Sequence, residues 1–147
     1  MKKYFLTIGL CFISFSFFAQ DISPKEVPSV IRHNFQSSFP KASDIEWEIE
    51  NGFYKVEFEI GLWNNDHSIW YDNEGNLIRH KKDISKSDLP DAIRSLIKEN
   101  YRWYWLKDVE QITEGDELTY KVELKSLTDE WDVIFDPAGT VISKIRD

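Results

Sequence analysis

The chain has 147 residues and carries 26 acidic against 18 basic side chains, a formal net charge of −8 at pH 7. An acidic surface repels phosphate backbones, and no cluster of lysine and arginine with interleaved aromatic residues is present, so nucleic acid is disfavoured as a partner. The same charge disfavours docking on anionic lipid. Because Cys11 is the only cysteine, no internal disulfide can form, and a hydrophobic core must stabilise the fold.

Residues 1–19 have the pattern of a secretory signal peptide. Lys2 and Lys3 precede an apolar run from Tyr4 to Phe18, and the chain turns polar directly after Ala19. The run is shorter than the roughly 20 residues that a spanning helix needs, although permanent anchoring is the alternative. We predict cleavage after Ala19, no stable membrane insertion afterwards, and a periplasmic or secreted protein. Cleavage removes two lysines and no acid, which moves the net charge from −8 to −10.

The rest of the chain repeats itself at an offset of 62 to 66 residues. Four matches keep their order, which a chance similarity would not. The matched segments are Val27-Pro28 with Leu89-Pro90, Asp44-Ile45-Glu46 with Asp108-Val109-Glu110, Tyr54 to Phe58 with Tyr120 to Leu124, and Trp70 to Ile78 with Ile134 to Ile142. We therefore predict two repeats, residues 20–84 and 85–147.

Each repeat opens with a predicted helix. In the first, Ser23 is a candidate N-cap, Glu26 completes a capping box, and Pro40 ends the helix. In the second, Asp88 is the candidate cap and Pro90 falls in the first turn, where its missing N–H costs nothing. Apolar residues recur every three or four positions and form one stripe on each helix. The stripes are Val27, Val30, Ile31, Phe35 and Phe39, and Leu89, Ala92, Ile93, Leu96, Ile97 and Tyr101.

After its helix, each repeat alternates apolar and polar residues with period two, as strands with one covered face do. Ile45, Trp47 and Ile49 are predicted to face the core, and Asn51-Gly52 is a strong hairpin signal. The predicted strands are residues 45–49, 54–60, 67–72 and 77–82, then 109–113, 118–125, 130–136 and 141–146. The predicted fold class is α+β, with two units of one helix and a four-stranded antiparallel sheet that share one sheet and pack both helices on one face.

These residues resemble a known family. The segments that carry the resemblance are the helix starts at Val27-Pro28 and Leu89-Pro90, the step Phe39-Pro40-Lys41-Ala42, Gly52 to Glu57, and Tyr71-Asp72-x-x-Gly75-x-Leu77. They look like the PepSY-like, beta-lactamase-inhibitor-like domains of exported bacterial proteins. The resemblance implies a non-catalytic binding protein in which two units share a sheet whose helix-free face grips another protein. It brings no catalytic residues with it.

The sequence contains no recognisable catalytic or cofactor motif. His33, His67 and His80 have no metal-ligand spacing, and no phosphate loop or nucleophile elbow is present. The glutamates of the first strands lie on the predicted wet face, where solvated charge explains them. We predict no enzyme activity, no cofactor and no metal.

The segment YDNEGNLI, from Tyr71 to Ile78, is a candidate calcium loop. An EF-hand beginning at Asp72 needs glycine at its sixth position, but Gly75 is the fourth. In the second repeat the matching residues Pro137 and Ala138 offer no side-chain oxygen. The pattern instead predicts a turn whose aspartate accepts backbone N–H groups and whose glycine takes a positive φ.

Alignment of the repeats predicts a partner-binding face. It places Trp70 and Ile134 at equivalent positions that point to the open side of the sheet, where exposed apolar residues often mark interfaces. Trp63, Trp103 and Trp105 are further candidates, with the alternative that they fold back and seal the join between the repeats. The acidic residues of the predicted face are Glu46, Glu48, Glu57 and Glu59.

The predicted function is an exported non-catalytic module that binds an unknown protein or peptide on the open sheet face. One alternative is a proteinaceous inhibitor of an extracytoplasmic enzyme, and another is a calcium or small-ligand sensor. A hydrolase that uses the clustered glutamates is a third.

Overall fold

A computed structural model describes residues 20–61 and 66–146, in which two helices and nine strands follow one another. The predicted signal peptide lies outside the described residues. The helices are α1 (Ser29–Ser38) and α2 (Asp91–Asn100). The strands are β1 (Gln20–Asp21), β2 (Ala42–Glu50), β3 (Phe53–Ile60), β4 (Asp66–Tyr71), β5 (Leu77–Asp83), β6 (Trp105–Glu114), β7 (Glu117–Lys125), β8 (Glu130–Phe135) and β9 (Val141–Arg146). Among the described residues, no helix is long and apolar enough to cross a membrane.

All nine strands form one antiparallel sheet in which every strand pairs with the next strand along the chain. The α+β class predicted from the sequence is confirmed. The sequence predicted eight strands, and the structure adds β1, in which Gln20 pairs with Ile49 and Asp21 with Glu48. Two residues are too short to show a hydrophobic period, which is why the pattern did not reveal this strand.

Both helices cover the same side of the sheet. One row of paired residues crosses five strands, from His67 through Lys82, Gln111 and Tyr120 to Phe135. Paired residues of antiparallel strands point to the same face. Tyr120 and Phe135 pack beneath α2, and His67 stacks on Phe58 beneath the end of α1. Over residues 20–61 and 66–146, no helix lies on the opposite side of the sheet, which we call the helix-free side.

Two hydrophobic clusters fix the helices to the sheet. Ile31 and Phe35 of α1 are buried against β2, β3 and β4, and Ile93 and Ile97 of α2 are buried against β6, β7 and β8. A fully buried side chain of this size stabilises a fold by about 1.5 to 3 kcal/mol. The sheet residues of the clusters are Trp47, Val56, Phe58, Ile69 and Tyr71 for α1, and Val109, Tyr120, Val122, Leu124, Val133 and Phe135 for α2.

The predicted helix starts are wrong, because α1 begins directly after Pro28 and α2 directly after Pro90. Pro28 and Pro90 hold extended backbone at the N-cap positions, with ψ of 140° and 143°. Since the residue before a proline avoids helical angles, Val27 cannot continue a helix from Ser23. The Ser23 N–H instead donates to the Glu26 carboxylate at 2.7 Å in a separate turn.

The structure also corrects the predicted cap of the second helix. The short 3-10 turn Lys86–Asp88 precedes α2, and its N-cap is Ser85, whose hydroxyl accepts a hydrogen bond from the Ser87 N–H. Asp88 therefore belongs to that turn and does not cap α2.

The alternation predicted for the first long strand fails at Ile45. The β2 to β3 register shifts between Ser43 and Glu46, and Asp44 takes a positive φ of 48°. Ile45 is consequently 42% exposed instead of facing the core, and Ile49, near the sheet edge beside β1, is 37% exposed. A bulge inserts residues without a partner, which breaks the period that the prediction used.

The segment YDNEGNLI forms the predicted turn, between β4 and β5. The Asp72 carboxylate accepts the N–H groups of Glu74 at 2.9 Å and Asn76 at 2.8 Å, and Gly75 has a φ of 89°. These bonds, with the Asn76 side chain contributing most, hold the pKa of Asp72 below its ordinary value. Both carboxylate oxygens are engaged within the turn, because the Asn76 amide donates to the second one.

The turn between β8 and β9 has the same construction. The Asp136 carboxylate accepts the Thr140 N–H at 2.7 Å, and Gly139 has a φ of 90°. Each glycine also lies against a helix. A Cβ on Gly75 would lie 3.0 Å from the Asn34 amide and 3.2 Å from Val30, both on α1. The two turns thus depend on glycine for backbone angle and for helix contact.

We expect Gly75→Ala to destabilise the protein more than Gly52→Ala. Both glycines have similar positive φ, 89° and 84°, but nothing lies within 4 Å of a Cβ on Gly52. Left-handed backbone costs each alanine about 1 kcal/mol, and crowding against α1 adds about 1 kcal/mol for Gly75 alone. Urea unfolding of both variants measures the difference. Equal losses would show that the turn does not press on the helix.

Candidate binding face

The helix-free side of the sheet carries a row of carboxylates. Glu59 pairs with Asp66 on β3 and β4, and Asp83 pairs with Glu110 on β5 and β6. The register of β4 and β5, in which His67 pairs with Lys82, brings Asp66 and Asp83 opposite one another. Burial, with the charges of Glu110 and Asp66, raises the pKa of Asp83. Four carboxylates on adjacent strands are therefore close enough to repel.

These carboxylates border a cleft of about 480 Å³, which we call the acidic cleft. Nine carboxylates line it, against the two lysines Lys81 and Lys121. Lys81 is paired with Glu110 at 3.0 Å, and Lys121 with Asp132 at 2.8 Å. The nine are Asp44, Glu46, Glu57, Glu59, Asp66, Asp83, Asp108, Glu110 and Glu123. The cleft thus keeps a large excess of negative charge.

A second cleft on the same side, also about 480 Å³, contains Trp70, and we call it the tryptophan cleft. The Trp70 indole N–H donates to the Glu50 carboxylate. Its ring lies 4.9 Å from the Arg79 guanidinium and 5.5 Å from the Lys55 ammonium. Cations near an aromatic face attract it, so these contacts hold the ring in place. Ile134, the predicted equivalent of Trp70, lines the same cleft.

Lys55 links the two glutamates that flank it. Its ammonium lies 2.5 Å from Glu48 and 2.8 Å from Glu57. Burial lowers the pKa of Lys55, but its hydrogen bonds with the two carboxylates outweigh burial and raise it. Its bond holds the pKa of Glu57 below the ordinary value. Glu48 is thus tied to its neighbour and does not line the acidic cleft, whereas Glu46, Glu57 and Glu59 do.

The remaining predicted tryptophans lie elsewhere. Trp103, after α2, is 77% exposed and Trp105 is 48% exposed. Neither lines either cleft, and their exposure does not fit the alternative that they seal the join between the repeats. Trp63 lies outside the described residues.

Two histidines that the sequence did not connect meet on the helix-covered side. His67 and His80 stack, with 2.9 Å between Nδ1 of His67 and Nε2 of His80. Phe39 and Phe58 pack against the pair. The strand register could have revealed this contact, since it places the two residues diagonally on β4 and β5. Over residues 20–61 and 66–146, no group of three or more metal-ligating side chains is suitably placed to hold a metal.

A family model described as "Putative beta-lactamase-inhibitor-like, PepSY-like" matches residues 18–79 and 59–143. The chain belongs to this PepSY-like family. The resemblance that the sequence indicated is thereby confirmed. Two matches of one model within the chain also suggest a tandem repeat. No curated protein matches the chain.

Solved structures from Bacteroides share the fold. A DUF2874 family protein from Bacteroides uniformis aligns with a TM-score of 0.71 and 17% identity, over 81% of this chain and 88% of that one. A "putative periplasmic" protein from Bacteroides eggerthii gives 0.74 and 14%, over 82% and 88%. A BLIP-like protein from Bacteroides fragilis gives 0.69 and 18%, over 81% and 85%. At these identities the similarity establishes the fold alone.

We expect the histidine pair to make stability depend on pH. Burial, followed by the charges of His67 and Lys82, lowers the pKa of His80 from 6.5 to about 4. Burial and Lys82 also lower the pKa of His67, which Asp66 partly opposes. Between pH 6.5 and about 4 the unfolded chain binds a proton that folded His80 does not. The free energy of unfolding therefore falls as the pH decreases through this window.

Urea unfolding near pH 7.5 and near pH 4.5 measures this effect. His80→Gln should lose less stability between the two conditions than the wild type, because it lacks the titrating imidazole. His33→Gln, which changes an exposed histidine on α1, is the matched control and should behave as the wild type. If all three proteins lose the same stability, the pair does not carry the pH dependence.

Proposed function

We propose that the protein is an exported, non-catalytic binding module that holds another protein or a peptide against the helix-free face of its sheet. One observation carries this proposal. The helices cover one side of the sheet, whereas the other side is covered by no described helix and contains two adjoining clefts. Large uncovered sheet faces with aromatic anchors are suited to contacts with macromolecules. Membership of a family whose description is inhibitor-like supports a binding role.

Export and duplication belong to the same proposal. Lys2 and Lys3 with the apolar run after them favour cleavage near Ala19 and a periplasmic or secreted location. The description of the Bacteroides eggerthii relative points to the same compartment. We assign residues 20–84 and 85–147 to two repeats, supported by equivalent turns at Gly75 and Gly139 and by one helix with its own hydrophobic cluster in each half.

Within the face, we assign the central contact to Trp70 and Ile134. Contacts with Glu50, Arg79 and Lys55 already hold the Trp70 ring in place. Trp70 therefore loses little side-chain freedom when a partner packs on it. Tryptophan is enriched among residues that dominate binding energy. The exposed Trp103 lies outside both clefts and is a matched control for this role.

We expect Trp70→Ala to reduce capture of the partner at least tenfold, because central aromatic residues often contribute about 2 kcal/mol or more to binding. The measurement is a pull-down from envelope extracts, quantified for the wild type, Trp70→Ala, Ile134→Ser and Trp103→Ala. Trp103→Ala should capture as the wild type does. Urea unfolding of each variant separates lost binding from lost folding. If wild type and Trp70→Ala capture the same proteins equally, the assigned face is wrong.

A second candidate function is inhibition of an extracytoplasmic enzyme. Similarity to a BLIP-like protein favours it over the sensor and hydrolase alternatives. An inhibitor would form a stoichiometric complex with the captured enzyme and lower its activity in proportion to binding. If a captured enzyme keeps full activity when it is saturated with this protein, the inhibitor hypothesis is wrong and the binding-module proposal still holds.

A further inference from the structure

The acidic cleft contains more negative charge than its own cations neutralise. Within the part of the chain that the structure describes, Lys81 and Lys121 pair with Glu110 and Asp132, and six lining carboxylates have no ion pair. These six are Asp44, Glu46, Glu59, Asp66, Asp83 and Asp108. Burial raises the pKa of Asp83, and the charges of Glu110, Asp66 and Asp108 raise it further, a repulsion that cations from outside would relieve. The face is thus electrostatically complementary to a cationic partner.

The carboxylate row also indicates the shape of such a partner. Glu59, Asp66, Asp83 and Glu110 come from four adjacent strands, β3 to β6. Strands lie about 4.8 Å apart, so the row spans roughly 14 Å across the sheet. An extended segment places every second side chain about 6.7 Å apart on one side, which fits two or three cations along this row.

The tryptophan cleft adds an apolar contact beside the charges. Lys81, Glu110 and Lys121 border both clefts, so the two are contiguous. A segment that continues past Glu110 therefore enters the tryptophan cleft. A second copy of this chain would be a poor occupant, since it carries the same acidic face and a net charge of −8.

We propose that the occupant of this face is an extended protein segment with lysine or arginine at alternate positions, followed by an apolar side chain that enters the tryptophan cleft. This inference rests on the proposed function and specifies the chemistry of its partner. The cations pair with the carboxylate row, and the extended backbone lies across the strands.

Three synthetic peptides with one common frame test this inference. The probes are fluorescein-labelled GXSXSXGLG peptides in which X is lysine, glutamine or glutamate. We expect the lysine peptide to bind the wild-type protein at least tenfold more tightly than the others and to weaken with added salt. Binding should also shift the NMR signal of the Trp70 indole N–H, assigned with Trp70→Phe.

Two triple variants locate the charge effect. Glu59→Gln, Asp66→Asn and Asp83→Asn together should weaken lysine-peptide binding about tenfold, because each exposed charge pair contributes about twofold to the affinity. Neutralising repelling carboxylates should leave the protein folded, which its urea midpoint checks. Asp88→Asn, Glu99→Gln and Asp116→Asn remove the same charge from exposed positions that line neither cleft and should change binding less than twofold.

The outcomes separate this inference from the proposed function. A protein that captures a partner through Trp70, yet binds the three peptides equally or not at all, keeps its proposed function and overturns the inference. Equal effects of both triple variants would also overturn it, since net charge alone would then explain binding. A face that responds to calcium alone and ignores the lysine peptide would be a cation site instead. If the wild-type protein neither captures a partner through Trp70 nor binds the lysine peptide, both the proposed function and the inference are wrong.

Discussion

The pairing of β5 with β6 is the contact on which the architecture depends. Five residue pairs, from Arg79 with Glu114 to Asp83 with Glu110, join the sheet beneath α1 to the sheet beneath α2. Without these pairs each half would expose an edge strand and half of the open face. With them, the sheet is continuous and both helices share one side. The same pairing aligns Asp83 with Glu110, so the join that completes the fold also concentrates the negative charge.

The two sides of the sheet differ in the interactions that they make. On the covered side, apolar contacts stabilise the fold. Burial there disfavours the charged forms of His67 and His80 and lowers the pKa of each. On the open side, lysines tie selected carboxylates, as Lys55 does with Glu48 and Glu57. Near Trp70, Lys55 neutralises two carboxylates, whereas Asp66 and Asp83 have no ion pair among the described residues. The face therefore combines carboxylates that lysines neutralise with carboxylates that are left unbalanced.

The sequence predicted those features that depend on short spacings. The repeat register identified the turn at Asp72 and Gly75 and oriented Trp70 and Ile134 to the open side, because each needs only local pattern and one alignment. Bulges were not predictable, since Ile45 keeps its apolar identity whatever the register of β2. The charge row was also missed, because Asp83 and Glu110 meet through a pairing across α2 that period-two alternation does not encode. Helix starts failed where the proline rule at Val27 overrode a capping pattern at Ser23.

The order of the strands, β1 to β9 without a crossover, has a consequence for how the chain folds. Every strand pairs with its immediate neighbour in sequence, and the longest connection between paired strands is the one that contains α2. Contacts between residues close in sequence have a low loop-closure cost, and proteins rich in them fold faster than other sheet proteins of similar size. Folding can therefore proceed strand by strand along the chain, and α1 can pack on its cluster before β6 has formed. With this strand order, the N-terminal half can fold first, before the C-terminal half is available.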